Sequence, residues 1–395
     1  DWGINRNIDI EFRGIVDESI RDGLQDTRLG VISLEDKCTL MSHMVSSGIK
    51  EVIVGMIGID DDSDNELMKL VDYAINIGMF PWVLCRINEM DLKKLERRYR
   101  RQIGINVFVA FSEIRIFAEN WDYYSLFART EQFISKCKKE FPAVRLALED
   151  ATRITPKRLQ TLIRKFVELQ IERLVFADTA GIATPTGVNR MFDCIQEIYP
   201  DFSALYTSFE WHGHNDRGMA LANSLVSIER GVRYVHGTIL GIGERTGNAA
   251  IELILCNIYD KMEDKINWVS LKDYLKIASK ILEFEIPDNY PFFGDRSNKS
   301  ATGTHCAAMI KLAEKGYGEY SSRLFAPENP YFGELTDTVL LSHLSGKKTV
   351  QFMLNKLGYI DDEQLVVSIL DYIKKSGSIL DAGKLRLAID SKWNT

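Results

Sequence analysis

Along the chain, short apolar runs rich in Val, Ile and Phe alternate with longer stretches whose apolar residues recur at helical spacing. That alternation is the signature of repeated βα units around a parallel sheet. Eight runs predict strands: 12–19 (FRGIVDES), 51–56 (EVIVGM), 80–85 (FPWVLC), 105–111 (INVFVAF), 143–149 (AVRLALE), 172–178 (ERLVFAD), 207–213 (TSFEWHG) and 233–239 (RYVHGTI). Between them the periodicity predicts helices over 34–47, 122–140, 155–169, 184–199, 217–231 and 248–262. Ser33 before LEDK, and Pro156 and Pro185 near a first helical position, are local start signals. Eight alternations over roughly 250 residues favour a closed (β/α)8 TIM barrel, with an open doubly wound sheet as the alternative. After about Lys261 the rhythm stops, giving way to a helix over 270–284, a loop-rich section and helices to the end. The predicted organisation is an α/β barrel over 1–285, a linker region over 286–347 and a small helical subdomain over 348–395.

Composition narrows the class. The chain has 395 residues, 45% of them apolar, and a formal net charge of −7 with acidic and basic residues interleaved. No basic stripe for nucleic acid or an anionic membrane is present, so the expected partner is a small molecule. The six cysteines (Cys38, Cys85, Cys137, Cys194, Cys256, Cys306) are scattered without a CxxC pair and read as reduced thiols. No window approaches the length of an apolar membrane span, and the amino terminus lacks the pattern of a signal peptide, so a cytoplasmic location is expected.

In a (β/α)8 barrel the chemistry sits at the carboxyl ends of the strands. The first predicted strand runs into Arg21, Asp22 and Gln25, although Arg-Asp-Gly is also ordinary turn chemistry. The seventh ends in Trp211-His212-Gly213-His214, and residues two apart on a strand face one side, so two imidazoles can address one ion. With Asp22 as carboxylate, the set leaves coordination positions open for substrate and suits Zn²⁺, Mn²⁺ and, less well, Mg²⁺. Glu149-Asp150 ends the fifth strand and Asp178-Thr179-Ala180-Gly181 the sixth; each also reads as a helix cap. Gly241-Ile242-Gly243-Glu244-Arg245-Thr246-Gly247-Asn248, after the eighth, is a glycine-rich turn able to bring backbone close to a ligand.

These motifs together resemble the metal-dependent barrel enzymes of the isopropylmalate synthase and homocitrate synthase group, relatives of hydroxymethylglutaryl-CoA lyase. The resemblance rests on DESIRDGLQ (17–25), LEDATR (148–153), ADTAGIATP (177–185), HGHNDRGMALANSL (212–225), GTILGIGERTGNA (237–249) and SATGTHCAAMIK (300–311), and spans nearly the whole chain. The fifth and sixth of these point to the condensing synthases rather than the lyases. The resemblance implies a Claisen-type condensation of acetyl-CoA with a 2-oxo acid, 3-methyl-2-oxobutanoate first, with homocitrate and citramalate synthases as neighbours. It implies Asp22, His212 and His214 as metal ligands with Asn248 beside them, Arg21 as stabiliser of developing negative charge, and Glu149 and Thr179 in the 2-oxo acid pocket. Gln25 and Arg86 are substrate-side candidates. His305 is implied to act across a homodimer with exchanged linkers, and Glu149 and His305 are the candidates for base and relay. Three positions depart from the family pattern: Ile53 stands where relatives usually carry Glu, which puts a pocket contact there in question; Arg115 lies where they tend to carry His, and its options are a substrate carboxylate or Glu119 one helical turn on; and Thr336 stands in the region where some isopropylmalate synthases carry a tyrosine. Leucine-regulated members continue past this length with a regulatory domain, so a chain ending at Thr395 reads as truncated or as the unregulated type.

Overall fold

The computed structural model describes residues 11–327, 331, 335–360 and 362–393. Each predicted run coincides with one strand, β4 beginning one residue earlier than predicted: β1 (Gly14–Asp17), β2 (Glu51–Met56), β3 (Phe80–Cys85), β4 (Gly104–Ala110), β5 (Ala143–Glu149), β6 (Arg173–Asp178), β7 (Ser208–Gly213) and β8 (Tyr234–Gly237). Neighbours pair in parallel in chain order, and β8 closes onto β1 with Gly14 opposite Tyr234 and Asp17 opposite Gly237. That closing pair excludes the open sheet and establishes the (β/α)8 barrel.

Helices cover the outside. Leu34–Ser46 starts where Ser33 Oγ accepts from the amide of Asp36, and Pro185–Gln196 where Thr184 Oγ1 accepts from Gly187. The helix predicted over 248–262 is shorter, arriving as Ile251–Asn257 and Tyr259–Met262. The preceding residues are spent otherwise: Asn248 bridges His214, and Ala250 bridges Thr238. The outward faces of the strands pack on the helices through large side chains such as Phe176, Phe192, Phe209 and Trp211, all buried.

The interior departs from the branched aliphatic filling usual in such barrels. Val16, Ile53 and Trp82 form a small apolar cluster, and beside it lie Glu51, Arg145, Arg173, Glu210 and His236. Arg145, Glu210 and His236 are fully or almost fully buried.

A second compact unit spans Ile286–Thr395. Helix Gly303–Glu314, in the section predicted as loop-rich, contributes Cys306 and Met309 to a core shared with helices Lys347–Leu357, Glu363–Ser376 and Ala382–Lys392. All six cysteines are free thiols. Among the described residues no helix is long and apolar enough to cross a membrane.

Candidate metal centre at the barrel rim

Alternation along β7 sends Glu210 and His212 into the barrel, and His214 follows just past the strand end. The two imidazoles meet, with His212 Nε2 3.3 Å from His214 Nε2. Each of these nitrogens lies 3.9 Å from Asp22 Oδ2. Asp22 is held on a short turn after β1, where the Gly23 amide donates to Glu18 O and the Gln25 amide to Asp22 O. Asn248 reaches the same carboxylate, donating Nδ2 to Asp22 Oδ2 at 2.7 Å and to Ile242 O at 3.1 Å. The sequence-predicted ligands therefore converge on one buried point.

Electrostatics prepare these groups to ligate. Burial lowers both His212 and His214 to about 4, leaving neutral imidazoles. Burial alone would raise Asp22, but Arg21 Nη1 at 2.9 Å and the two imidazoles hold the carboxyl well below its usual range. His214 Nδ1 and Asn248 Oδ1 are buried without hydrogen-bond partners. Two donors on one ion with bonds of about 2.0–2.2 Å sit roughly 3.0–3.4 Å apart, so the imidazole pair and the orphaned amide oxygen fit a divalent cation.

The glycine-rich turn after β8 presents Asn248. Gly247 has φ +84° and a Cβ there would lie 1.9 Å from Gly241 O, while a Cβ on Gly243 would lie 2.3 Å from Asn248 Nδ2. Arg245 ties this turn to β6 and β7 by donating to Thr179 O at 2.7 Å and to Asp216 at 2.8 and 3.1 Å.

The remaining predicted residues divide. Arg21 and Gln25 line a cavity of about 280 Å³ with Val54 and Met56 of β2 and with Lys37, Glu66 and Leu67 of helices Leu34–Ser46 and Asp61–Asn76, and none of the metal-ligand candidates lines it. Ile53, the position where a pocket contact was in question, is instead buried in the barrel's apolar cluster. Glu149, at the end of β5, pairs with Arg115 at 3.0 Å; burial raises its carboxyl above the usual range although Arg115 opposes the shift. Arg115 also meets Glu119 at 2.9 Å, as helical spacing suggested. Thr179 Oγ1 accepts from the Asp150 amide at 2.8 Å. The carboxylate of Asp178, read as a cap, accepts from the amides of Ile182 and Ala183 and so ties down the loop after β6. Arg86 is occupied by Asp91, at 2.7 and 3.1 Å, and by Gly58 O. His305 is exposed on helix Gly303–Glu314 of the second unit, stacked on Phe325 at 4.1 Å. Thr336 lies in the short helix Leu335–Thr338.

Sequence reasoning overlooked the ionic ladder beneath the site. Arg173 binds Glu51 at 2.7 Å and Glu210 at 2.9 Å, and Arg145 binds Glu210 at 2.7 Å. His236 joins Glu210 at 2.9 Å to Glu18 at 2.6 Å. Burial opposes the charge of Glu210, yet the two guanidinium groups hold it at about 2. The signal was available: Glu51, Arg145, Arg173, Glu210 and His236 interrupt apolar runs at positions of one alternation phase.

Comparison with known proteins finds relatives along most of the chain. The chain is 28% identical over 379 residues to a probable 2-isopropylmalate synthase of Ignicoccus hospitalis, an alignment covering 94% of this chain and 89% of that protein. It is 26% identical over 377 residues to a putative (R)-citramalate synthase of Archaeoglobus fulgidus, covering 94% and 72%. Among solved structures, the HMG-CoA lyase of Bacillus subtilis aligns with a TM-score of 0.58 at 21% identity, covering 70% of this chain and 96% of that one. Residues 13–279 match the HMGL-like family, which is the family to which this chain belongs.

Proposed function

We propose that the chain condenses acetyl-CoA with a 2-oxo acid, joining the acetyl methyl carbon to the ketone carbon, and that thioester hydrolysis then drives the step. The observation that carries this is the convergence of Asp22, His212 and His214 at the carboxyl rim with Arg21 beside them. The synthase reading is favoured over a lyase by extent, since the synthase relative aligns over 94% of this chain and the lyase structure over 70%.

A divalent cation held by Asp22, His212 and His214, with Asn248 alongside, would polarise the ketone through chelation of substrate oxygens. The chain's own groups do the rest. Arg21, 2.9 Å from Asp22, offsets negative charge as it grows on the ketone oxygen. Glu149, its proton affinity raised by burial, is suited to accept a proton from the weakly acidic acetyl methyl group. Thr179, fixed by the Asp150 amide, keeps its hydroxyl hydrogen for the substrate carboxylate. His305 completes proton transfer from a partner subunit in a homodimer. The first candidate substrate is 3-methyl-2-oxobutanoate, with the citramalate and homocitrate branches separated from it by pocket shape, worth about 1–3 kcal/mol per methylene.

Free thiol released from acetyl-CoA, followed with a panel of 2-oxo acids differing in side-chain length and charge, tests the reading. One acid should give turnover that disappears in Asp22→Ala and on treatment with a chelator. Silence across the panel in metal-loaded protein refutes it.

A further inference from the structure

The Asp22 site does not stand alone, because a second carboxylate lies directly behind it. The Glu18 amide donates to Gly237 O, which continues the β1–β8 pairing by one residue and turns the Glu18 side chain inward, in phase with Val16. It is 2% exposed. Its carboxylate meets three groups: the Arg21 guanidinium, His236 Nδ1 at 2.6 Å and His212 Nδ1 at 3.2 Å. Of these, Arg21 and His212 belong to the proposed active site, and they meet different oxygens of Glu18, Arg21 at Oε2 and His212 at Oε1.

Glu18, His212 and His236 are close enough together to suggest a second metal position. The hydrogen bonds argue otherwise. Both ring nitrogens of His236 already face carboxylates, Glu18 at 2.6 Å and Glu210 at 2.9 Å, so His236 has no lone pair aimed at an ion. An ion bound through His212 Nδ1 would also have to share that imidazole with the site at Nε2. The arrangement is that of an outer carboxylate behind a ligating histidine, which fixes the tautomer and ring orientation and raises ligand basicity.

We infer that Glu18 is the positioning residue of this centre, setting His212 to ligate through Nε2 and holding Arg21 beside Asp22 with the same carboxylate. The inference rests on the metal-dependent reading above. Glu18 is in turn seated by His236, which is locked by Glu210, Arg145 and Arg173, so the interior ladder serves as the footing of the rim site. His212 Nδ1 is buried without a hydrogen-bond partner, and Glu18 Oε1 is the acceptor within its reach at 3.2 Å.

The test compares Zn²⁺ affinity, by competition with a chromophoric chelator, in the unmodified chain and in Glu18→Gln, Glu18→Asp and Asp22→Ala. Glu18→Gln is expected to weaken binding by about 10- to 100-fold while keeping a cooperative melting transition, and Glu18→Asp to recover part of the loss. Where turnover is measurable, kcat should fall more than KM rises, because the misplaced Arg21 acts on charge that exists only in the transition state. A Glu18→Gln protein that folds and binds Zn²⁺ as tightly as the unmodified chain overturns the inference. If Glu18→Gln does not fold, His236→Gln is measured instead, with a loss of about 3- to 10-fold expected and unchanged affinity again overturning it. Unchanged binding in Asp22→Ala would mean that the metal site itself is wrong, a failure distinct from that of Glu18.

Discussion

Arg115 shows what one residue's neighbours decide. From the sequence its options were a substrate carboxylate or Glu119, one helical turn on. The structure adds Glu149 at 3.0 Å, on β5 and 34 positions away, a partner that strand pairing supplies and local spacing cannot reveal. The pair matters because Glu149 is the candidate base and a base must be ionised to work. Burial raises the Glu149 carboxyl and Arg115 pulls it down, so deleting the guanidinium moves it further up. Arg115→Gln should therefore shift the acidic limb of the kcat/KM profile to higher pH, and Arg115→Lys should shift it less. Thermal stability should barely change, since the ion pairs of a side chain this exposed are worth about 0–1 kcal/mol. A profile that does not move in Arg115→Gln would remove Glu149 from the role of base. By contrast, His212 and His214 were legible at once, because their spacing of two on a strand is itself the geometry that joins them.

At the scale of elements, the turn from β8 to helix Ile251–Asn257 reads in the sequence only as a glycine-rich turn, and in the structure Gly243 and Gly247 leave no room for a Cβ. Its glycines suggest backbone brought close to a ligand, and in the structure they let the chain double back so that Asn248 lies beside His214. Gly247 meets two separate constraints, a left-handed φ of +84° and a would-be Cβ 1.9 Å from Gly241 O. Gly78, after helix Asp61–Asn76, shares the first, with φ +82°, but has open space around it. Gly78→Ala should thus cost only the backbone strain, about 1–3 kcal/mol, and leave Zn²⁺ affinity intact. Gly247→Ala should cost more and also weaken Zn²⁺ binding, because relieving the clash displaces Asn248. Equal metal affinity in the two variants, by the same chelator competition, would show that the turn does not serve the site.

For the whole molecule, the eight strands were legible because parallel strands buried on both faces read as apolar runs whatever their neighbours. Closure was only favoured, since nothing local in 12–19 or 233–239 says that the first run pairs with the last. The charged interior is legible only in part: Glu51, Arg145, Arg173 and Glu210 visibly interrupt apolar runs, but each is satisfied by partners on other strands that nothing local identifies. Closure also brings Asp17 of β1 against Tyr274 of helix Trp268–Ile281, 257 positions away, with Tyr274 Oη donating to Asp17 Oδ2 at 3.0 Å. Full burial raises Asp17 from 3.8 to about 6, even though Ser19 and Tyr274 hydrogen-bond to it. A carboxyl raised on folding favours the folded state while protonated. Its contribution is complete below pH 3.8 and lost as pH climbs through about 6, a difference of about 3 kcal/mol. Asp17→Asn keeps an acceptor for Tyr274 and removes the titration. Urea unfolding of the barrel from pH 4 to 8 should therefore show the variant gaining on the unmodified chain by up to about 3 kcal/mol across that window, then running parallel above it. The subtraction matters because many other carboxyls titrate over the same range and cancel between the two proteins. Curves that stay parallel from pH 4 to 8 would mean that Asp17 is ionised at no unusual cost, and that the β1–β8 seam is wetter than its burial implies.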